Sequence, residues 1–389
     1  MRICFVAEHP SSGKIGGAEV AMAFLADRLV QEGIEVHYAS TRCIEHQSIE
    51  FHQVPGWFAR TIQKLVKSYR ALNGSAGGSS SQGPSAAGPR RQDKAVTSKL
   101  RSFLLKILMR SYEPVLSKVG ADVYIQVNAG YPTGYVASFC KKNAKPFIFR
   151  STSLWDADLS FTRGHTRWPD YTKALYLRGV RDADIIAANS MDTARAFTEY
   201  VDKEKVRFMP DGFPILPRQD SSRKGGFVLW VARDAPYKRA WLYADLARML
   251  PQYQFVMVGD VEPMKNRPPN LLLLGPKKPN ELPDIYSRAK VLVSTSEVEG
   301  FPNVLVEAAM QGVPYVGFLD PDSVTAKYKL GFQVRDVPEM AQRVDTLMSD
   351  ETLRLRLGRN ARRFVEEHFD IEKVIKKWLG LFEELAHAK

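Results

Sequence analysis

Short apolar runs alternate along this chain with longer segments of helical periodicity. RICFVAE (2–8) reads as a buried strand, and GAEVAMAFLADRLVQEG (17–33) as a helix that stops at Gly33. IEVHYAS (34–40) is a second strand, and DVYIQVN (122–128), KPFIFRS (145–151) and DIIAANS (184–190) are three more. Each ends in a polar turn. Unbroken apolar strands separated by helices predict a parallel sheet covered on both faces.

The pattern then restarts. FVLWVAR (227–233), QFVMVG (254–259), LLLLG (271–275) and VLVSTS (291–296) read as strands. RAWLYADLARML (239–250), NELPDIYSRA (280–289) and NVLVEAAMQG (303–312) read as the helices between and after them, and an amphipathic helix fills 370–389. Between the two series, RFMPDGFPILPRQDSSRKGG (207–226) is rich in Pro, Gly and charge and reads as a linker. The expected layout is a first domain at 1–206, a linker at 207–225, a second domain at 226–370 and a terminal helix at 371–389. A chain of 389 residues suits two such domains better than one core.

Composition interrupts this picture at 73–93, where NGSAGGSSSQGPSAAGPRRQD has nothing to build a core and reads as a flexible loop. The flanking segments 57–70 and 98–112 each place apolar residues on one helical face. Packing of those stripes on the sheet is the plainer interpretation. The charge is less ordinary. From 56 to 110 there are eleven Lys and Arg against one acid, Asp93, so this stretch carries +10 of the net +12. A basic surface implies an anionic partner, and an acidic membrane fits amphipathic helices better than nucleic acid does, since no nucleic-acid motif is evident. Cys4, Cys43 and Cys140 are scattered, odd in number and without metal spacing, which suggests reduced thiols of a cytoplasmic protein. The N-terminal apolar run is too short for a signal peptide, and no apolar stretch reaches the ~20 residues of a membrane span. The expected location is the cytoplasm, peripheral to the inner face of a membrane through 56–110.

Three strand ends carry candidate chemistry. After the first strand, SSGKIGGAEVA places Gly16 and Gly17 ahead of a helix, where backbone can approach a phosphate or sugar. The spacing is neither a dinucleotide fingerprint nor a P-loop, so alone it reads as a turn. After 227–233, the loop RDAPYK offers Arg233 and Lys238, two cations able to stabilise charge growing on a diphosphate leaving group. Without context it is a solvated basic loop. After 291–296, EGFPNVLVEAAMQG sets Glu299 in the loop and Glu307 in the helix, separated by Gly300, Phe301, Pro302, Asn303 and Val304. Free amides of that helix start can bind anions, and carboxylates can take sugar hydroxyls. The helix dipole would favour either acid singly. It does not account for the Gly-Phe-Pro-Asn stretch between them.

STSEVEGFPNVLVEAAMQGVPYV (294–316) is similar to the E-x7-E signature of retaining GT-B glycosyltransferases of family four. GGAE (16–19) resembles that family's glycine loop, MPDGF (209–213) its interdomain segment, and VARDAPYK (231–238) its cationic loop with the five-residue step from Arg233 to Lys238. SDETLRLRLGRNARRFVEEHFD (349–370) looks like its C-terminal helices. The resemblance implies an α/β fold of GT-B type, with two Rossmann-like domains facing across a cleft and a last helix crossing back to the first. It implies a retaining hexosyl or related transferase, independent of metal and of any other cofactor, acting on a nucleotide-diphosphate sugar and a glycan or lipid-linked acceptor in cell-surface polysaccharide or glycoconjugate synthesis. Glu307 would hold the ribose hydroxyls and Glu299 the donor sugar. Arg233 and Lys238 would hold the diphosphate, assisted by amides of 301–304, with Gly16 and Gly17 lining the site.

Ala232 and Arg239 stand where the family usually has glycine, and FLDPDSV (318–324) replaces its usual loop. On the acceptor side, Thr152 falls near the position of a common family histidine, with Arg150 and Asp156 beside it and His165 nearby. Two DxD strings, 156–158 and 182–184, raise the question of metal; Asp184 reads as the start of a strand, and no metal is expected at either. Competing readings are a nucleotide-sugar epimerase on the same scaffold, against which the E-x7-E stretch argues, and a basic adaptor without enzyme activity.

Overall fold

The computed structural model describes residues 1–7, 17–40, 49–54, 112–218, 226–261 and 266–387. Gly16, Cys43, the 73–93 loop and the whole of the basic 56–110 segment lie outside the described residues.

The first sheet contains β1 (Arg2–Ala7), β2 (Glu35–Ser40), β3 (Glu50–Gln53), β4 (Val123–Val127), β5 (Phe147–Ser151), β6 (Ile185–Ala188) and β7 (Val206–Phe208), in the order β3-β2-β1-β4-β5-β6-β7. β1 pairs in parallel with β2 and β4, β2 with β3, and β6 with β7. The second sheet contains β8 (Phe227–Val231), β9 (Phe255–Val258), β10 (Leu271–Leu273), β11 (Ala289–Ser294), β12 (Tyr315–Gly317) and β13 (Gly331–Gln333), in the order β10-β9-β8-β11-β12-β13. All of its pairings are parallel. Such strands need crossover connections, and helices supply them. They are α1 (Gly17–Gln31), α2 (Tyr131–Lys142), α3 (Asp170–Asp182) and α4 (Met191–Phe197), then α5 (Ala240–Met249), α6 (Leu282–Arg288), α7 (Asn303–Met310), α8 (Val324–Tyr328), α9 (Val337–Ser349), α10 (Glu351–His368) and α11 (Ile371–His387).

The central strands are apolar throughout because both faces are covered. β1 is buried from Ile3 onward and β4 along its whole length. In the second sheet Trp230, Tyr243, Phe255, Val291 and Val316 form one core. Gly33 and Gly312 follow the ends of α1 and α7 with φ of +78° and +73°, the left-handed geometry that glycine adopts without strain. Cys4 and Cys140 are buried and form no disulfide, and burial pushes the Cys4 thiol far above its usual value.

Four strands were not legible in the sequence. β3 sets polar Glu50, His52 and Gln53 around the single ring of Phe51 instead of presenting an apolar run, and β7, β12 and β13 have three residues each. Parallel neighbours hold such short segments in place; their own composition does not.

The chain falls into two compact units: 1–13, 33–149 and 168–184 in one, and 14–32, 150–167 and 185–389 in the other. Within the second, α11 returns to α1 and β7. Arg28 grips Glu372 with two bonds of 2.8 Å, Arg207 reaches Glu384 at 3.1 Å, and Lys377 lies 5.3 Å from the Phe208 ring. Among the described residues no helix is long and apolar enough to cross a membrane.

Candidate active site

The second sheet reverses its winding between β8 and β11. At such a switch point the loops beyond the strands' carboxyl ends diverge and leave room for a ligand. The loop after β8 carries Arg233 and Lys238; the loop after β11 carries Glu299 to Pro302.

These two loops are laced together. The Trp230 indole donates to the Thr295 hydroxyl at 2.9 Å, and that hydroxyl donates to the Lys238 carbonyl at 2.6 Å. The Arg239 guanidinium donates to the carbonyls of Thr295 at 2.7 Å and Ser296 at 3.1 Å, and it covers the Phe318 ring at 4.8 Å. The Glu297 amide donates to the Tyr237 carbonyl at 2.8 Å. This lacing positions the Lys238 ammonium against the Glu299 carboxylate as an ion pair, each side chain 15% exposed. Arg233 sits at the mouth of the same loop, exposed and without an ion pair among the described residues.

Arg239 adopts φ +50°, ψ +50°, and caps α5. The position therefore has the left-handed geometry usually given to glycine. Here the guanidinium contacts accompany the unusual backbone.

Glu307 lies on α7 facing α6. The Tyr286 hydroxyl, itself buried, donates to its carboxylate at 2.6 Å. Burial raises the Glu307 carboxyl from its usual 4.5 to about 7, and the Tyr286 bond only partly counters this. Tyr286 was missed in the sequence because it lies 21 residues from Glu307 and in another element.

The stretch between the two glutamates is determined by packing. A side chain at Gly300 would meet both Asn189 Oδ1 and the Thr152 carbonyl at 2.4 Å, so only glycine fits. Phe301 is buried against Phe369, with ring centroids 4.6 Å apart. Pro302 precedes α7, and no side chain caps the first amides there, which include those of Asn303 and Val304. The Asn303 side-chain amide donates through Nδ2 to the Gly17 carbonyl at 2.7 Å, which brings the start of α1 to the start of α7. Gly16 lies outside the described residues.

The residues expected on the acceptor side divide. Arg150 is in the core, fully buried. Its guanidinium binds Asp211 at 2.6 Å and the carbonyls of Met209 and Ala187, and it lies 5.6 Å from the Trp378 ring. It holds 209–211 to the end of the sheet and presents no surface. Asp156 is also buried; its Oδ2 accepts from the Ser151 hydroxyl and from the amides of Thr152 and Ser153 at 3.0–3.2 Å, and its Oδ1 faces His165 Nε2 at 3.2 Å. Thr152 lies beside Gly300 and is half-buried. Asp158 closes its own turn: burial would raise its carboxyl, but bonds from Ser160, Arg163, Gly164 and Thr162 bring it down to about 2. Asp184 accepts from the Phe147 amide at 2.8 Å, as its place at the start of β6 suggested. Both DxD strings thus have carboxylates committed to backbone amides.

Residues 215–364 match the family described as glycosyl transferases group 1. The whole chain superimposes on sucrose-phosphate synthase from Thermosynechococcus elongatus with a TM-score of 0.74 at 17% identity, covering all of both chains. The chain has the GT-B fold. A second GT-B structure, Anabaena HepE in complex with UDP-glucose, gives a TM-score of 0.65 at 15% identity over the full length of each chain. In sequence, 216 residues are 27% identical to the UDP-Gal:alpha-D-GlcNAc-diphosphoundecaprenol alpha-1,3-galactosyltransferase of Escherichia coli, covering 47% of this chain and 55% of that one. The GT-B chain described here spans about half the length of this curated relative. The family match falls on the second sheet and includes Arg233, Lys238, Glu299 and Glu307.

Proposed function

We propose that the protein is a retaining, metal-independent glycosyltransferase that moves a sugar from a nucleotide-diphosphate donor to a glycan or lipid-linked acceptor in cell-surface glycan synthesis. The observation that carries this reading is the convergence of Lys238, Glu299, Glu307 and the uncapped start of α7 at the switch point of the second sheet. The names of the similar proteins, a galactosyltransferase on a diphosphoundecaprenol-linked sugar and a structure holding UDP-glucose, point to the same donor and acceptor classes.

Glu307 takes the ribose hydroxyls. The amides of Asn303 and Val304, at the positive end of α7, meet the diphosphate. Lys238 and Arg233 place two cations where the leaving phosphate gains charge as its bond to the sugar breaks, the role a divalent ion fills elsewhere. Glu299, beside Lys238, holds a sugar hydroxyl. Attack from the face the leaving group departs from retains configuration, and the departing phosphate accepts the acceptor's proton, so no enzymic nucleophile is needed. The domain limits remain as proposed from the sequence: 1–206 on the acceptor side, 226–370 on the donor side, 371–389 crossing back.

A thermal-shift screen of UDP-, GDP- and ADP-sugars identifies the donor, because a ligand that binds the folded state raises its melting temperature. Hydrolysis of that donor is expected to be lost in Glu307→Ala and Arg233→Ala and to persist in EDTA. Full donor affinity in both variants by calorimetry would refute the site. Flotation on liposomes of anionic lipid tests the membrane proposal for 56–110; equal flotation of a variant without that segment would end it.

A further inference from the structure

At the β3 end of the first sheet, the alternation of β2 and β3 gathers a second group of ligands. His37 pairs in register with Glu50, and Ala39 with His52. Successive strand residues point to opposite faces, so Glu35, His37, Glu50 and His52 share one face. The other face carries a stacked aromatic row, Phe5, Tyr38 and Phe51, with centroids 5.1 and 5.3 Å apart.

On the polar face His37 Nδ1 lies 2.8 Å from His52 Nε2. Glu50 Oε2 lies 3.6 Å from His37 Nδ1, and Glu50 Oε1 lies 3.5 Å from His52 Nε2. All three ligand atoms fall within 4.8 Å of one another. His37 Nε2 faces Glu35 Oε1 at 2.9 Å, and Glu35 is held by Arg2 at 2.8 Å. A carboxylate only accepts, so Glu35 fixes the proton of a neutral His37 on Nε2 and leaves Nδ1 as a bare lone pair. That lone pair faces a second imidazole nitrogen and a carboxylate. His37 is 4% exposed, and the His52 side chain 9%.

We propose that His37 Nδ1, His52 Nε2 and the Glu50 carboxylate bind one divalent cation of the zinc class, with Glu35 orienting His37 and Arg2 holding Glu35. Two imidazoles and a carboxylate are borderline ligands that suit Zn²⁺ and leave a fourth position for water. Ligands at zinc bond lengths in a tetrahedral site stand about 3.3 Å apart. Each imidazole nitrogen already stands close to that from one of the two Glu50 oxygens, and the nitrogens themselves, 2.8 Å apart, separate by about 0.5 Å. Lys118 and Arg2 act on His52 as neighbouring positive charges, and Glu50 as a negative one. The cation clips β3, the outermost strand of the sheet among the described residues, to β2. This is a structural role, independent of the sugar-transfer proposal and of the expectation that transfer itself needs no metal.

Calorimetry of the full chain, stripped with chelator and titrated with zinc chloride, is expected to show one site. The same zinc should raise the melting temperature. His52→Ala should abolish both effects. Glu50→Gln, at an exposed side chain that leaves the core intact, should weaken binding at least about tenfold, and Glu35→Gln by about 10–100-fold. Absence of a zinc site in the wild-type chain, or equal zinc affinity in wild type and Glu50→Gln, would overturn the proposal.

Discussion

Two ion pairs in the second unit use the same kinds of group to opposite ends. Arg150 and Asp211 are 0% and 3% exposed, and most of the pair's capacity is taken up: two carbonyls and the Trp378 ring on the arginine, whose buried Nε lacks a partner, and Asn189 at 3.4 Å on the second carboxylate oxygen. Lys238 and Glu299 are each 15% exposed and make one contact with each other. An ammonium has three donors and a carboxylate about four acceptor positions, so this second pair has capacity left for a diphosphate and a sugar hydroxyl. A buried pair with several fixed partners fixes the chain; one with spare capacity and open to solvent can exchange partners.

The largest effect expected from this contrast is on stability. Asp211→Ala strands a buried guanidinium and should cost about 3–5 kcal/mol in urea unfolding. The double variant Arg150→Met, Asp211→Leu should cost less than Asp211→Ala alone, because no charge is left without its partner. Lys238→Ala should behave in reverse, changing stability by no more than about 1 kcal/mol while lowering turnover about 10²–10³-fold. If Lys238→Ala unfolds the chain as readily as Asp211→Ala, the two pairs are of one kind and the distinction fails.

Glu307 sharpens the contrast as a carboxyl whose partner is neutral. Its folded value of about 7 lies above the usual 4.5, so the fold favours the protonated form. Its contribution to stability is complete below 4.5 and is lost as pH rises through 7. The full amount is about 3 kcal/mol. Unfolding free energy should therefore decline from pH 5 to pH 8 in the wild type, with a shallower slope in Glu307→Gln. Ribose hydroxyls donate to the ionised form, so affinity for an intact nucleotide sugar, whose diphosphate charge is constant over this range, should rise from pH 6 to pH 8. A flat wild-type affinity profile would remove Glu307 from the ribose.

The same contrast marks what the sequence could disclose. The central strands were legible because burial on both faces leaves an unbroken apolar run, and α7 because Glu299, Gly300 and Glu307 lie within one contiguous stretch. Arg150 looked like an acceptor-side cation because a buried arginine and an exposed one are written with the same letter; its partner Asp211 lies 61 residues away. Tyr286 and Thr295 were silent for the same reason, since each acts through a residue from another element. β3 was missed because three polar residues around one phenylalanine are the mark of a strand with a polar cluster on one face, not of a core.

Arg239 gives the smallest effect and the finest test, as a cation whose partners among the described residues are two carbonyls and a ring. Its left-handed backbone costs a non-glycine residue on the order of 1–2 kcal/mol. Two charge-assisted bonds to Thr295 and Ser296 offset a similar amount. Arg239→Gly removes both the strain and the bonds, so stability should shift by less than about 1 kcal/mol. Arg239→Lys keeps the strain and replaces a fork that spans two carbonyls with a single ammonium. The lysine variant should therefore be the less stable of the two, although it is the more conservative change in charge. If thermal melts place Arg239→Lys at or above Arg239→Gly, the guanidinium fork is not what offsets the backbone at this position.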